Sequence, residues 1–450
     1  MMKKMTADVL DELRRLFDVP VDRRRTMIAA FHDEMIKGLA GAPSSLQMLP
    51  TYIDNPTGRE GGTFLALDMG GTNLRVLRAD LKGDGSAPAP ISRKFPLNRD
   101  QIASTGDVLF TAVARQIGRF LAEHGLTGRY RMGFTFSFAL RQRSIDRGEL
   151  IAWTKGWTAT GVEGEDVVEL LNRALSREGL AGVRVVSLNN DTTGTHMARA
   201  YLDPACDAAC ILGTGTNACY REWLANIRKP IGPYGREAMI VNMESGNFDK
   251  ALPGNPFDAL LDAQSENPGA QSAEKMVSGK YLGELVRLIV ADLCGRGVLF
   301  GGRLPEVFAS REGFGSERVC EIKEDGTTDA KRVRALLAEL GAGPAAAEDA
   351  RALREVAWIV SDRAARIAAS ILAATVTKND PALDRDHTIA VDGSVFEKHP
   401  GFRARMEETF RELFGDRAAR ISLELTPDGS GLGAAIIAAV ASADEPKTKE

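Results

Sequence analysis

Cysteine is scarce in this sequence, with five residues in 450. So few cysteines in so long a chain do not form a disulfide framework. Cys206 and Cys210 have no second Cys or His pair at ligand spacing, which favours two small core residues over a zinc site. No apolar secretory segment lies near Met1, so the sequence predicts a reducing, cytoplasmic compartment.

Long apolar runs and an excess of positive charge are also missing. No hydrophobic stretch approaches the ~20 residues that span a bilayer, so no membrane association is predicted. Lys and Arg number 57 against 61 Asp and Glu, which excludes a global basic field for nucleic acid. A polyanionic ligand must therefore be held locally. The length predicts two or three domains, because single cores stop growing well below this size.

The hydrophobic pattern alternates between strands and helices. Two β-type runs, 64–68 and 74–81, flank a Gly-Gly-Thr-Asn turn and predict a hairpin, and 208–212 with 218–223 predict another. Other predicted strands are 131–138, 183–188, 388–391 and 421–425. Predicted helices are 108–121, 165–178, 281–294, 350–376, 402–414 and 434–441, with a turn at 427–433. This alternation is typical of an α/β layer.

The two predicted hairpins carry the same tripeptide, Gly-Thr-Asn, which ends at Asn73 in one and at Asn217 in the other. This indicates a duplicated α/β unit. One glycine tip is most simply an ordinary hairpin turn. Two matching tips favour a phosphate clamp, since glycine lets backbone N–H groups approach an anion closely. Glycine turns at 392–394 and 429–433 are further candidates, whereas the P-loop and Rossmann fingerprints are absent.

Two charged residues flank the first glycine turn. Asp68 ends its strand, and a carboxylate beside phosphate needs a divalent cation or water between them, which predicts magnesium coordination. The alternative for Asp68 is an ordinary turn-initiating Asp. Arg75 either leans toward a transferred phosphoryl group or is a surface charge of its strand.

Longer motifs resemble those of one family. The stretch Phe64-Leu-Ala-Leu-Asp68-Met-Gly-Gly-Thr-Asn-Leu-Arg75-Val is similar to the first phosphate loop of the eukaryotic-type hexokinases and glucokinases, and Leu212-Gly-Thr-Gly-Thr-Asn217 to their second. Segments 135–138 and 153–157 resemble the sugar loops of this family, and 189–195 its catalytic loop. Segments 242–246, 274–284 and 391–395 complete the set in order. The sequence is therefore identified as a member of this family, with a length that predicts one catalytic unit and no fused second half.

The resemblance implies an α/β fold of the two-lobed, actin-like ATPase (ribonuclease H-like) type with a deep interdomain cleft. The small lobe is expected at 61–188 with the C-terminal helix 434–450, and the large lobe at 1–60 and 189–433. The implied activity is ATP-dependent transfer of the γ-phosphoryl group to the 6-hydroxyl of glucose and related hexoses (mannose, fructose), feeding glycolysis. Lobe closure, with hinges near 189–191 and 431–433, is expected to assemble the site after the sugar arrives, because water competes as a nucleophile.

The implied catalytic residues are Asp191, Lys155 and Arg75. Asp191 lies at the carboxyl end of a predicted strand and is the expected base for the sugar hydroxyl proton. From the residue alone, an Asp that caps the next helix through Thr192 and Thr193 is an equal alternative. Lys155 is expected near the transferred phosphate, where it offsets developing charge.

The resemblance also assigns contacts to a hexose and to the cofactors ATP and Mg²⁺. Asp68 is expected to bind Mg²⁺ through water. The expected hexose contacts are Ser137, Thr154, Lys155, Asn190, Asp191, Asn217, Glu244 and Glu274. The expected nucleotide contacts are Asp68, Gly70, Gly71, Thr72, Asn73, Gly213, Thr214, Gly215, Thr216, Lys280, Gly393, Ser394, Gly429, Ser430 and Gly431.

Four features depart from the family pattern. Ala139 replaces a usual Pro, Leu432 a usual basic residue and Ser245 a usual Trp, and 308–318 matches the adenosine-side segment poorly. These departures concern nucleotide affinity and preference rather than the catalytic assignment. Two other classes stay open: a non-catalytic sugar and nucleotide sensor on the same scaffold, and an actin- or chaperone-like ATPase, which the sugar loops argue against. The sequence predicts no particular hexose preference or oligomeric state.

Overall fold

The computed structural model describes residues 2–70, 73–86, 89–154, 156–311, 313–342 and 345–444. Its strands are β1 (Leu49–Pro50), β2 (Gly61–Met69), β3 (Asn73–Lys82), β4 (Ile91–Pro96), β5 (Tyr130–Phe136), β6 (Ala139–Ser144), β7 (Arg147–Ala152), β8 (Val183–Asn189), β9 (Cys206–Leu212), β10 (Thr216–Trp223), β11 (Ala238–Asn242), β12 (His387–Asp392) and β13 (Ile421–Leu425). Its helices are α1 (Met2–Phe17), α2 (Val21–Leu39), α3 (Arg99–Ile102), α4 (Gly106–Glu123), α5 (Val167–Arg177), α6 (Asp191–Leu202), α7 (Pro256–Gln264), α8 (Ser272–Val277), α9 (Gly279–Gly295), α10 (Ser316–Lys323), α11 (Lys331–Glu339), α12 (Ala347–Thr377), α13 (Ser394–Lys398), α14 (Phe402–Phe414) and α15 (Gly429–Asp444).

Two β-sheets share one topology. The smaller has the order β4-β3-β2-β5-β8, and the larger has β11-β10-β9-β12-β13 with β1 added at its edge. In each sheet the first three strands of this order pair antiparallel and the last two join in parallel. The repeated Gly-Thr-Asn hairpins therefore belong to equivalent strands of the two sheets, as a duplicated unit requires.

Helices α6 and α15 lie between the sheets. Helix α15 packs on α6 and on β2 and β5, while α6 packs on β9 and β10. A core of mostly small buried side chains joins these elements, including Ala66 of β2, Ala209 of β9 and Ala435 of α15. A Cβ atom at Gly433 would lie 1.8 Å from the Gly194 carbonyl oxygen, so the two helices cross with their backbones in contact. This crossing holds the N-termini of both helices in fixed positions.

The sequence pattern located most elements but misread one boundary. Helix α14 and strand β13 begin and end where predicted, and both glycine-tipped hairpins are confirmed. The predicted turn at 427–433 is wrong, because α15 begins at Gly429. Asp428 has a φ of +56° and turns the chain immediately before the helix. The Gly-Ser-Gly-Leu-Gly sequence has low helix propensity, but only such small residues allow the contact with α6 that stabilises this first turn.

The five cysteines are free thiols, and Cys206 and Cys210 are buried in β9, which confirms them as core residues. Within the described ranges, the helices include none that is long and apolar enough to cross a membrane.

Candidate active site

Asp191 lies where β8 ends and α6 begins. Asn190 is the N-cap of α6, because its side chain accepts a hydrogen bond from the Thr193 N–H at 2.9 Å. Asp191 is the first residue of the helix, and its Oδ1 accepts from the Thr192 N–H at 2.7 Å. The capping alternative for Asp191 is thus confirmed only in its contact with Thr192, since the N-cap position and the Thr193 N–H belong to Asn190. β8 runs parallel to β5, so Asp191 lies at a carboxyl end of the smaller sheet.

An ion-pair network centred on the buried Arg75 joins the end of β2 to the start of α15. Asp68 Oδ2 accepts from Ser430 Oγ at 2.9 Å and from an Arg75 nitrogen at 3.2 Å. Arg75 also pairs with Asp428 at 2.6 Å. Two segments more than 350 residues apart are thus joined at one carboxylate. The same first turn of α15 reaches β8, because Thr135 donates to the Ser430 carbonyl at 3.2 Å and accepts from Asn189 at 2.9 Å.

Arg75 is not the surface charge that one alternative predicted. The residue is only 8% exposed, and its guanidinium contacts Asp68, Asp428 and Ser430. Its catalytic role stays a prediction, and these contacts show what it does in the structure: it holds a carboxylate and a helix start together.

Carboxylates accumulate around this network. Burial raises the pKa of Asp68, and the Asp191 charge adds to that rise, while Arg75 and Ser430 oppose it. Burial raises the pKa of Asp392, at the end of β12, to about 6, with Asp428 and Asp191 as neighbouring negative charges. Asp392 and Asp428 were not predicted as site residues. The signal in the sequence for Asp392 was its place at the start of the candidate glycine turn 392–394, directly after a predicted strand.

The raised pKa of Asp392 predicts a pH-dependent gain in stability from Asp392→Asn. An ordinary Asp has a pKa of about 3.9, so the folded chain binds this proton more tightly than the unfolded chain does. The associated stability is present below about pH 4 and is lost as the pH rises through about 6. We expect the variant to exceed the wild type in free energy of unfolding by on the order of 3 kcal/mol at pH 8, but by only about 1 kcal/mol at pH 4.5. Urea denaturation at both pH values measures this difference.

Asp386→Asn is the control for this comparison. Asp386 is an exposed carboxylate that pairs with Arg420 at 2.9 Å, and such surface pairs contribute little. An equal effect of Asp392→Asn at both pH values would show that its carboxyl is not buried as described.

The surroundings of Asp68 fit magnesium bound together with a phosphate chain. No group of three or more His, Cys, Asp or Glu side chains at metal-binding spacing occurs among the residues described. Mg²⁺ commonly takes only one or two carboxylates and completes its shell with water and substrate phosphates. The Asp191 charge helps to raise the pKa of Asp68 and of Asp392, and a divalent cation would relieve that repulsion.

The predicted sugar contacts of the larger sheet lie together where β10 begins and β11 ends. Asn217 Nδ2 donates to Asn242 Oδ1 at 2.8 Å, and Asn242 Nδ2 donates to Glu244 Oε1 at 2.8 Å. Glu244 has a φ of +54°, in the left-handed region that is uncommon for non-glycine residues. Asn242 belongs to the motif at 242–246, but the sequence alone assigned it no role.

Glu274 lies against the second glycine turn. Its Oε2 accepts from the Thr216 N–H at 2.9 Å, and a Cβ at Gly215 would lie 2.7 Å from the same oxygen. A larger residue at Gly215 would displace the Glu274 carboxylate from the turn. Glu274 thus contacts the predicted phosphate turn, and it also lies close to Gly246, two residues after Glu244.

The sugar-loop predictions in the smaller sheet are only partly covered by the described residues. Ser137 donates its backbone N–H to the Met69 carbonyl at 3.1 Å, next to Gly70. Thr154 is exposed and accepts from the Trp157 N–H at 3.1 Å. Lys155, Gly71 and Thr72 lie outside the described residues, as does the side chain of Asn73.

A cavity of about 620 Å³ adjoins the second glycine turn. It is lined by three predicted nucleotide contacts, Thr214, Lys280 and Ser394, and its volume suits a nucleoside. The N–H of Lys280 donates to the Thr214 carbonyl at 3.1 Å, so the turn lies on the N-terminus of α9. A Cβ at Gly393 would lie 2.4 Å from the Leu212 carbonyl oxygen, and its φ is +118°, so glycine is required for this turn to meet β9.

The remaining predicted nucleotide contacts are Gly213 and the first turn of α15. The Gly213 carbonyl accepts from the Gly279 N–H at 2.8 Å. Gly429 and Gly431 flank Ser430 in the helix, and a Cβ at Gly431 would lie 3.1 Å from Arg75. Ser430 and Gly431 face the Asp68 network, whereas Gly429 lies against Thr195 of α6.

The positions that depart from the family pattern have different surroundings in the structure. Leu432 packs on the core between the sheets, and Ser245 is buried and donates its N–H to Asn217 Oδ1 at 3.2 Å. Ala139 is exposed at the start of β6. In 308–318, Phe308 and Phe314 are buried, and Arg311 and Phe314 line the cavity.

This arrangement can hold an anionic chain between two glycine turns and present one carboxylate to a polar ligand. Asp191 influences the pKa values of both Asp68 and Asp392, which places it beside the first turn. The next residue, Thr192, accepts at its carbonyl from Cys219 of β10, the strand that carries Asn217. The Asp191 carboxylate therefore lies between the first glycine turn and the strand that carries Asn217.

Sequence comparisons identify relatives of this chain. Two family models described as hexokinase match residues 9–201 and 207–440. The chain is 39% identical over 442 residues to Hexokinase-3 of Mus musculus, covering 96% of this chain and 47% of that protein. It is 38% identical over 455 residues to Hexokinase HKDC1 of Homo sapiens, covering 98% and 49%. The chain therefore spans about half the length of these curated relatives.

Solved structures with the same fold are also similar in sequence. A hexokinase from Schistosoma mansoni complexed with glucose superposes with a TM-score of 0.86 at 34% identity, covering 97% of this chain and 99% of that one. A second hexokinase crystal structure gives a TM-score of 0.87 at 31% identity, with coverage of 97% and 99%. These likenesses confirm the two-lobed, actin-like α/β fold.

Proposed function

Because this chain belongs to the hexokinase family, we propose that it transfers the γ-phosphoryl group of ATP to the 6-hydroxyl of glucose and of related hexoses such as mannose and fructose. The observation that carries this proposal is the position of Asp191. It is the first residue of α6, close to the carboxylates Asp68 and Asp392 and one residue from the contact with β10.

Asp191 is proposed as the general base. A sugar hydroxyl has a pKa far above neutrality, so a carboxylate that takes the proton as the new O–P bond forms lowers the barrier. The Asn190 cap and the Thr192 N–H fix the direction of the Asp191 side chain. Asp191 therefore acts from a rigid helix start, which favours a defined orientation toward the hydroxyl.

ATP and Mg²⁺ are the proposed cofactors, and Asp68 is the residue that would hold the metal through water. When bound, Mg²⁺ neutralises charge on the β- and γ-phosphates. Arg75 is proposed to contribute to catalysis by holding Asp68 and Ser430 in place, and Lys155 by offsetting charge on the transferred group. The support for Arg75 is its pairing with Asp68 and Asp428.

The other ligand contacts predicted from the sequence are retained as proposals. Asn217, Glu244 and Glu274 surround one end of the larger sheet and would contact the hexose together with Ser137, Thr154 and Asn190. The two glycine turns, Lys280, Ser394 and the first turn of α15 would contact the nucleotide. Their support is the cavity beside Thr214 and the network at Ser430.

Lobe closure over the sugar is part of the proposal. The small lobe is taken as 61–188 with the C-terminal segment 434–450, and the large lobe as 1–60 and 189–433. The support for closure is helix α15, which crosses the boundary at 433 and packs both on α6 of the large lobe and on β2 and β5 of the small lobe. A cytoplasmic location is proposed as well.

The proposed activity predicts sugar-dependent release of ADP. We expect the purified chain with Mg²⁺ and ATP to release ADP at on the order of 10 s⁻¹ when glucose is added, and at least about 100-fold more slowly without a sugar. A coupled ADP assay over glucose, mannose, fructose and glucosamine measures this and ranks the hexoses. Equal ADP release without sugar would indicate an ATPase instead, and sugar binding without turnover would indicate a sensor.

A further inference from the structure

Asn242 ends β11 behind two of the proposed sugar contacts. It is 6% exposed and lies opposite Cys219 of β10 in the sheet. The sequence motif contains this residue, but neither the proposed catalysis nor the proposed ligand contacts use it. Its two amide atoms bond to Asn217 and to Glu244, one to each.

The hydrogen bonds fix the orientation of both amides. Asn217 Oδ1 accepts from the Ala218 N–H at 2.7 Å and from the Ser245 N–H at 3.2 Å. Its nitrogen must therefore face Asn242, whose oxygen accepts at 2.8 Å. Asn242 then has only its nitrogen to offer Glu244, to which it donates at 2.8 Å. If the Asn242 amide were flipped, its NH₂ group would face the NH₂ group of Asn217 and its oxygen would face the Glu244 carboxylate.

This orientation determines what each side chain can offer a ligand. With its oxygen bonded to two backbone N–H groups, Asn217 has only its second N–H left, so toward a ligand Asn217 is a donor. An ionised Glu244 is an acceptor only. A hydroxyl group can accept from one partner and donate to the other at the same time, which an ether, a methyl or a hydrogen cannot do.

We infer that Asn242 is a positioning residue that fixes Asn217 as donor and Glu244 as acceptor for one and the same hydroxyl of the sugar. This inference rests on the proposed hexokinase function and adds the group through which the site recognises its substrate. The energetic consequence is specific. A sugar that lacks this one hydroxyl removes the ligand partner of both the Asn217 N–H and the Glu244 carboxylate, whereas a sugar that lacks another hydroxyl keeps both bonds.

The test is Asn242→Asp assayed with glucose and with its monodeoxy analogues. An aspartate keeps an oxygen toward Asn217 but sets its second oxygen against Glu244, which turns the Glu244 carboxylate away. In the wild type we expect one deoxy analogue to lose about 100-fold or more in kcat/KM relative to glucose. In the variant we expect that ratio to fall below about 10-fold, through a higher KM for glucose, with the KM for MgATP unchanged.

Asn226→Asp is the matched control, because Asn226 makes the same amide-to-carboxylate bond, to Glu222 at 2.8 Å, away from the site. It should leave every ratio of deoxy analogue to glucose unchanged. Asn242→Ser removes both bonds with a smaller side chain, and it should give the same selective pattern if the aspartate variant does not fold.

A uniform loss across all sugars, or an unchanged deoxy pattern, would overturn the inference while leaving the hexokinase function intact. Absence of turnover by the wild type on every hexose would instead overturn the proposed function, and the inference with it.

Discussion

Asp191→Asn is expected to lower kcat for glucose phosphorylation by about 10³-fold, because asparagine cannot accept the hydroxyl proton. The KM values for glucose and MgATP should change only a few-fold, since asparagine keeps the size of the side chain and its bond from the Thr192 N–H. Steady-state kinetics by coupled ADP release measures the change. The position of Asp191 supports the same expectation. Its charge acts on both Asp68 and Asp392, which lie at two of the proposed phosphate turns.

The stability of Asp191→Asn separates catalysis from folding. Asn190 caps α6, so the variant keeps its helix cap and should unfold within about 0.5 kcal/mol of the wild type. Asp203→Asn is the matched control at the other end of the same helix, where Asp203 accepts from the Ala205 N–H at 3.0 Å. That control should keep full activity. Unreduced turnover by Asp191→Asn would end its assignment as the base.

Gly433→Ala is expected to destabilise the chain by about 3 kcal/mol or more. The added Cβ would lie 1.8 Å from the Gly194 oxygen and 2.4 Å from its carbonyl carbon. Backbone atoms cannot rotate away, so α6 and α15 must separate along the core between the sheets. We expect a lower urea midpoint and also a lower kcat, because Asp191 and Ser430 lie in the first turns of the two helices.

Gly295→Ala gives the comparison for that experiment. Gly295 is the last residue of α9, and a Cβ there would have nothing within 4 Å. Alanine should be neutral or stabilise by up to about 1 kcal/mol, because it lowers the entropy of the unfolded chain. A midpoint for Gly433→Ala equal to that of Gly295→Ala would show that the two helices do not cross in contact.

Local sequence patterns located the strand ends and turns that carry the proposed site. The hairpin tips, the carboxylate at the end of β2 and the Asp191 segment were readable because a glycine turn or a strand end is defined by a few adjacent residues. The fold could be predicted for the same reason: the repeated Gly-Thr-Asn tips indicate a duplication, and the family motifs occur in order along the whole chain.

The misreadings share one cause, which is contact between distant segments. Gly429, Ser430 and Gly431 looked like a turn, yet they form a helix start against α6. Arg75 was open to a surface role, yet it pairs with Asp428, a residue whose neighbourhood no local pattern describes. Secondary-structure propensity depends only on neighbours in sequence. Tertiary contacts therefore decide the structure both at 429–431 and around Arg75.

The sequence by itself determined the family, the duplicated α/β architecture and the residue types that the chemistry needs, because these depend on order and composition along the chain. Only the tertiary structure decided that Asn190 rather than Asp191 caps α6, that Arg75 and Ser430 share Asp68, and that Asn242 orients Asn217 and Glu244. The physical reason is that hydrogen-bond direction and burial are properties of atoms brought together in space, and a linear pattern does not specify them.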